Sequence, residues 1–334
     1  MGKAMGKIAV IGSNSFAASH FIDYALSNTN NEVLGVSRRP EKNSIFLPYK
    51  KNLNISRFSF HQFDLNKDMA LLLGFLDKEK PEIIVNYAAQ SEVGPSWENP
   101  VQWYNTNVIG IISLTDHLRK STYIKKYIHI SSPEVYGSCE GNVKEDHPFS
   151  PSTPYAASKA SGDMFIQVLV KQFNFPAVFV RSTNYYGPGQ QLFKIIPRSI
   201  IYIKSGKKIQ LHGGGKAVKS FIHVRDVCAG TLKIMEKGRL GDIYHLSPPY
   251  GYSVRDIVQR ICRIMGANFN EVTEEVDERP GQDKAYVIVS EKAKQEFGWQ
   301  PKIAIDDGLR ECIDWVNKNW GVIKDQPLLY RHIP

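Results

Sequence analysis

The sequence is poor in the features that would mark a secreted, metal-binding or membrane protein. It has 4 cysteines among 334 residues. Cys139, Cys228, Cys262 and Cys312 fall in no CxxC pair, which excludes a zinc pattern and a disulfide frame and reads as reduced thiols of a cytoplasmic protein. No apolar run reaches the ~20 residues of a spanning helix, and the first residues lack the apolar core of a signal peptide. There is no internal repeat, no low-complexity tract and no block of like charge. Lys50-Lys51, Lys125-Lys126 and Lys207-Lys208 are scattered pairs that belong on solvated faces. Nucleic acid is therefore not expected as a partner. The net charge of +9 equally suits a small, multiply phosphorylated ligand.

Glycine is scarce at one place where it matters. Lys7 to Gly12 reads as a buried strand, followed by a turn and an amphipathic helix through Leu26. A dinucleotide-binding turn at that point normally carries three glycines. Here the pattern is Gly12-x-x-Ser15-x-x-Ala18, with Asn14 and Phe16 between. Gly12 permits the tight turn, Ser15 offers a hydroxyl to phosphate, and Ala18 is small enough for helix–strand packing.

What the chain does have is a regular alternation of apolar strands and helical stretches. Glu32–Val36 ends in Ser37-Arg38-Arg39, and the two guanidinium forks suit a ribose 2′-phosphate better than a free 2′-hydroxyl. Residues 57–63 form a third strand, followed by Asp64-Leu65. Residues 81–86 form a fourth, running into Tyr87-Ala88-Ala89-Gln90-Ser91-Glu92. A helix over Pro100–Lys120 contains Asn107. Tyr127–Ile130 is a buried strand ending in Ser131-Ser132-Pro133-Glu134. A helix follows over Tyr155–Phe173, and a sixth strand over Phe175–Val180 leads into Arg181-Ser-Thr-Asn184-Tyr-Tyr-Gly187-Pro188. This order implies an α/β, doubly wound parallel Rossmann sheet over 7–181. A smaller C-terminal mixed α/β lobe for substrate follows over 182–330, with exchange of a strand or helix between the two allowed.

Tyr155 and Lys159 stand one helical turn apart, on one face. A cation beside a phenol favours the phenolate and lowers its pKa from the usual ~10, which makes a base for a sugar hydroxyl. With the Ser-Ser strand end before it and RxxNxYGP after it, this pair resembles the extended short-chain dehydrogenases/reductases, in the branch of nucleotide-sugar epimerases and dehydratases. The likeness runs from about Lys7 to Trp320. Ala-Ala-Gln-Ser and the paired arginines resemble GDP-mannose 4,6-dehydratases, and Arg279-Pro-Gly resembles dTDP-glucose enzymes.

The resemblance implies the following expectations. NADP, with NAD as the alternative, is held tightly and recycled by Gly12, Asn14, Ser15, Phe16, Ala18, Arg38, Arg39, Asp64, Leu65, Ala88, Ala89 and Lys159. A nucleotide sugar is held by Ser91, Glu92, Asn184, Lys194, Arg198, Lys219 and Arg279. Tyr155, Lys159 and Ser132 serve C4 oxidation. Glu134 removes the C5 proton, water leaves from C6, and the hydride returns there. Pro133 stands where related enzymes have a hydroxyl or an acid. A homodimer paired through Pro100–Lys120 and Tyr155–Phe173 is expected. Two other readings stay open: an epimerase or other enzyme with a 4-keto intermediate, and a non-catalytic dinucleotide sensor or RNA-binding relative. The glycine-poor turn and the net charge of +9 favour the latter, and the joint presence of Ser132, Tyr155 and Lys159 weighs against it.

Overall fold

Alternating aliphatic side chains build the strands, and each buried one contributes ~1.5–3 kcal/mol. The computed structural model describes residues 6–278, 285–330 and 332. Its large sheet has seven strands: β1 (Lys7–Ile11), β2 (Glu32–Ser37), β3 (Phe58–Gln62), β4 (Ile83–Asn86), β5 (Lys126–Ile130), β6 (Ala177–Ser182) and β7 (Ile243–Leu246). They lie in the order β7-β6-β5-β4-β1-β2-β3, and every neighbouring pair is parallel. Ile8 and Val10 enter one core with Phe21 of the first helix (Phe16–Asn28) and Leu232. Ala9 and Ile11 enter the other with Leu114, Ile166 and Phe179. Period-two side chains buried on both faces are what a parallel sheet covered by helices requires.

The strand order reverses beside β1, where chains leaving β1 and β4 diverge and open a crevice. Gly12 turns there with φ +87°, and a Cβ on it would come 2.8 Å from the Ala88 backbone nitrogen. Ser15, in the place of the second glycine, has an ordinary extended backbone (φ −73°) and caps the first helix by accepting from the Ala18 amide. Only Gly12 needs the left-handed region, so the turn tolerates the loss of the other two glycines.

The helix expected over Pro100–Lys120 ends at Leu118 and is interrupted by a π-helical turn at Asn105–Ile109. The turn contains Asn107, which is buried. Its amide donates to the Gln90 carbonyl (3.0 Å) and the Ser158 hydroxyl (2.9 Å), and its oxygen accepts from the Gln90 amide (2.9 Å). One side chain thus clamps the loop after β4 to the helix Pro154–Phe173. Such π bulges gather at functional sites.

The large sheet draws on residues from both sides of residue 181. β7 and the helix Val224–Lys237, which packs on the first helix, come from beyond it and complete the large sheet's layer. In exchange, Cys139–Val143 joins the four-stranded sheet of the smaller lobe. That lobe has its own core, with Ile196, Ile200, Leu309, Cys312 and Val316. No helix among the described residues is long and apolar enough to cross a membrane.

Candidate active site

Two cavities open at the carboxyl ends of the strands. The larger, about 370 Å³, is lined by Gly12, Asn14 and Ser15 from the β1 turn, Arg38, Arg39 and Lys42 after β2, and Asp64 and Leu65 after β3. Ala88 and Ala89 line it after β4. The Asn14 amide donates to the Arg39 and Pro40 carbonyls (2.8 and 2.9 Å), which pins the basic turn across the cavity mouth. Burial and the neighbouring Arg38 charge depress the Arg39 guanidinium, and burial and Arg39 depress the Lys42 ammonium. Cations that repel one another at the rim of a cavity favour an anion there. A backbone cradle that admits no Cβ, together with these charges, fits a phosphorylated dinucleotide.

The smaller cavity, about 220 Å³, is lined by Ser132, Glu134, Tyr155, Lys159, Asn184 and Lys194, with Phe16 at one side. Ser15, Ala89, Ser91 and Glu92 line both cavities, so the clamped loop after β4 forms the shared wall. β5 ends at Ile130, and a 3-10 turn, Pro133–Tyr136, follows. Ser132 caps this turn, accepting from the Glu134 amide at 3.3 Å, and Pro133 occupies its first position. Proline's fixed φ and missing N–H suit that place. Pro133 is therefore the start of the turn that aims Glu134 into the cavity. The opposing helix begins with the Thr153 cap and Pro154, so Tyr155 lies in its first turn.

The phenol of Tyr155 is buried. Burial and the Glu134 charge push it well above its ordinary value, and a hydrogen bond from Ser132 pulls it back in part. The Lys159 ammonium donates to the Ile130 carbonyl at 2.9 Å. The helix places both side chains in the cavity wall, with the ammonium bonded to the strand end and attracted by the Asp163 charge.

Asp163, one turn beyond Lys159, was missed in the sequence, although the same i, i+4 spacing marks it. It is fully buried and accepts from Ser131 Oγ (2.6 Å) and the Arg181 guanidinium (2.7 Å), with His129 Nε2 at 3.3 Å. Burial raises its carboxyl, but Arg181, His129 and Lys159 outweigh this and hold it below the ordinary carboxylate range. Burial lowers Lys159 to about 8, against the upward pull of Asp163 and with the downward pull of Arg181.

Of the other expected residues, Lys194 pairs with Glu92 at 2.8 Å, so each neutralises the other at the cavity wall. Ala18 is fully buried and lines neither cavity, serving helix–strand packing. Arg198 and Lys219 also line neither. Arg198 sits on the helix Ile195–Lys204 with its guanidinium over the Tyr202 ring, and Lys219 is drawn into the four-stranded sheet. Arg279 lies outside the described residues. Tyr185, Gln190 and Gln191 line the smaller cavity and carried no signal in the sequence.

Residues 10–312 match the family described as GDP-mannose 4,6 dehydratase. The human dTDP-D-glucose 4,6-dehydratase is 30% identical over 325 residues, covering 94% of this chain and 91% of that protein. The dTDP-glucose 4,6-dehydratase of Bacillus anthracis, solved in complex with NAD, superposes with a TM-score of 0.85 at 30% identity, covering 95% of this chain and 98% of that one. The Streptomyces venezuelae dTDP-glucose 4,6-dehydratase, also solved with NAD, gives 0.86 at 28%, covering 94% and 98%.

The buried network makes a titration prediction. Lys159 is charged below its pKa, and Asp163 is the group that favours the charged form. Asp163→Asn should therefore move the Lys159 midpoint below about 8 and cost about 3–5 kcal/mol of stability by stranding Arg181. NMR of 15N-labelled lysine side chains reads the midpoint; no downward move would contradict the assigned coupling.

Proposed function

The chain belongs to the GDP-mannose 4,6-dehydratase family, among the extended short-chain dehydrogenases/reductases. From that membership we propose that it is a nucleotide-sugar 4,6-dehydratase working with a nicotinamide dinucleotide. The observation that carries the reading is Glu134. It is a carboxylate on the same capped turn as Ser132, in the cavity of Tyr155 and close enough to raise its phenol. An enzyme that only inverted C4 would have no use for a second acid–base group there.

The dinucleotide, when bound, supplies a cationic ring and the hydride acceptor that later acts as donor. Gly12, Ser15, Ala88 and Ala89 would cradle it, with Arg38 and Arg39 at its phosphorylated adenosine end. The residues of the chain move the protons. Ser132 positions the sugar C4 oxygen, and Tyr155, its phenol proton released to solvent once positive charge in the cavity offsets its burial, takes the C4 hydroxyl proton as a phenolate. Lys159 holds the strand end and faces the same space. With C4 a ketone, the C5 proton is acidic, and Glu134 removes it as general base. Pro133 has no proton to give, so Glu134 passes its proton to the departing C6 hydroxyl, which leaves as water. C6 then takes back the hydride and C5 takes the proton that Tyr155 had removed from the C4 hydroxyl, so Tyr155 is a phenolate again and C4 remains a ketone.

The finer assignments follow the site. Arg38, Arg39 and Lys42 favour NADP over NAD. Arg38→Asp with Arg39→Ala should abolish that preference in a binding titration, and tighter NAD than NADP binding by the unaltered protein would contradict it. The relatives' names support dTDP-glucose and GDP-mannose as first substrates to try. Four buried free thiols support a reducing, cytoplasmic setting. Val101 and Ile109 on one helix stretch and Met164 and Val168 on the next form an exposed apolar face, the face through which we place a homodimer. Sedimentation at the mass of one chain at micromolar concentration would contradict it.

Two variants separate the steps. Tyr155→Phe should abolish reaction with every nucleotide sugar. Glu134→Gln should still oxidise C4 but stall, with water loss slowed about 10²–10⁴-fold and reduced-nicotinamide absorbance accumulating. Unchanged water loss by Glu134→Gln, read by product mass, would remove the basis of the dehydratase reading.

A further inference from the structure

The wall of the larger cavity contains one residue from the far end of the chain. Tyr330 lines it together with Arg38, Arg39, Gln191 and Phe193. The segment that carries it is fastened on both sides. Leu328 packs into the core of the smaller lobe. His332 stacks on the buried Trp103 ring, with centroids 5.1 Å apart and planes at 23°, and bonds to the Gln102 amide oxygen. Between these anchors the Tyr330 ring stands edge-on to Phe193 at 5.3 Å, and its hydroxyl lies 3.2 Å from His332 Nδ1. A partly buried hydrophobe on one side and a ring stack on the other hold this segment in place.

The environment of the phenol points to its ligand. Burial and Glu92 push it up, while Arg38 and Arg39 pull it down. The net rise keeps the hydroxyl protonated, so it is a donor set among cations, at the basic end of the cavity. A neutral donor, an aromatic edge and guanidinium groups around one space match an adenosine bearing phosphate.

We propose that Tyr330 is a dinucleotide-binding residue, holding the phosphate-bearing adenosine end of the cofactor, and that His332 and Trp103 position it. This rests on the reading of the larger cavity as the dinucleotide site. The segment makes the cofactor site a three-sided enclosure: the glycine turn below, the basic turn after β2 on one flank, and the chain's last described residues on the other. It also ties the substrate lobe, through Leu328 and Phe193, to the rim of the cofactor cavity.

The test is equilibrium binding of NADP+, NAD+, adenosine 2′,5′-bisphosphate and nicotinamide mononucleotide to the full chain, freed of bound nucleotide. Unaltered protein would be compared with Tyr330→Ala, Tyr330→Phe and His332→Ala, each checked for an unchanged thermal midpoint. Tyr330→Ala should weaken NADP+ and adenosine 2′,5′-bisphosphate by about tenfold and leave nicotinamide mononucleotide unaffected. Tyr330→Phe, which keeps the ring, should lose less. His332→Ala, which removes the anchor of Tyr330 at a residue that lines neither cavity, should change affinity in the same direction. Equal binding by Tyr330→Ala and the unaltered protein would overturn the proposal while leaving the dehydratase reading intact. Absence of dinucleotide binding by the unaltered protein would instead remove the cofactor reading and this inference with it.

Discussion

A single buried ion pair organises this active site. Asp163 and Arg181 are both fully buried, and placing two charges out of water costs several kcal/mol for each ion. The cost is offset only where the surroundings complete their bonding. Here Ser131 and Arg181 donate to Asp163, the second guanidinium arm donates to Tyr136, and the Tyr136 hydroxyl meets His245 at 2.7 Å. The guanidinium also lies over the Tyr136 and Phe149 rings, at 4.7 and 5.0 Å. These partners come from the end of β5, the turn after it, β6, β7 and the helix Pro154–Phe173. One network therefore sets the relative positions of every element that carries a reacting side chain.

Under the proposed mechanism, that arrangement lets two kinds of proton transfer share one small cavity. The turn carrying Ser132 and Glu134 faces the helix carrying Tyr155 and Lys159. Asn107 fixes the loop that walls them off from the dinucleotide cavity. The two acid–base groups come from different elements, so each has its own support: Tyr155 sits in the first turn of a helix capped by Thr153, and Glu134 in a turn started by Pro133. Preorganisation of this kind lets a static frame serve oxidation and elimination in turn.

Much of the fold was legible because strands with buried aliphatics on both faces leave an unmistakable alternation with helices. Six strands of the large sheet were read within a few residues. β7 was not, because its neighbour β6 is far away in sequence and the intervening chain folds as the other lobe. Ser132, Glu134, Tyr155 and Lys159 were legible because their spacings are local, and they converge on one cavity. Local spacing sets Tyr155 and Lys159 side by side, and the strand end adds a partner for the ammonium that spacing does not reveal. The glycine-poor turn looked like a lost function, yet Ser15 occupies a backbone conformation open to any residue. Arg198 and Lys219 were assigned by likeness, and neither is among the residues that line the two cavities. Tyr330 left no trace in the pattern, since nothing local links it to a turn some 290 residues earlier.

The central claim is that this chain removes a C5 proton and a C6 hydroxyl from a sugar attached to a nucleotide. The most direct measurement is to incubate the unaltered protein with a panel of hexose nucleotides in heavy water and weigh the products. The account requires a product lighter by one water for at least one sugar, with solvent deuterium retained on carbon and absent from the starting sugar. Turnover that yields only an isomer of unchanged mass with no deuterium on carbon would contradict it.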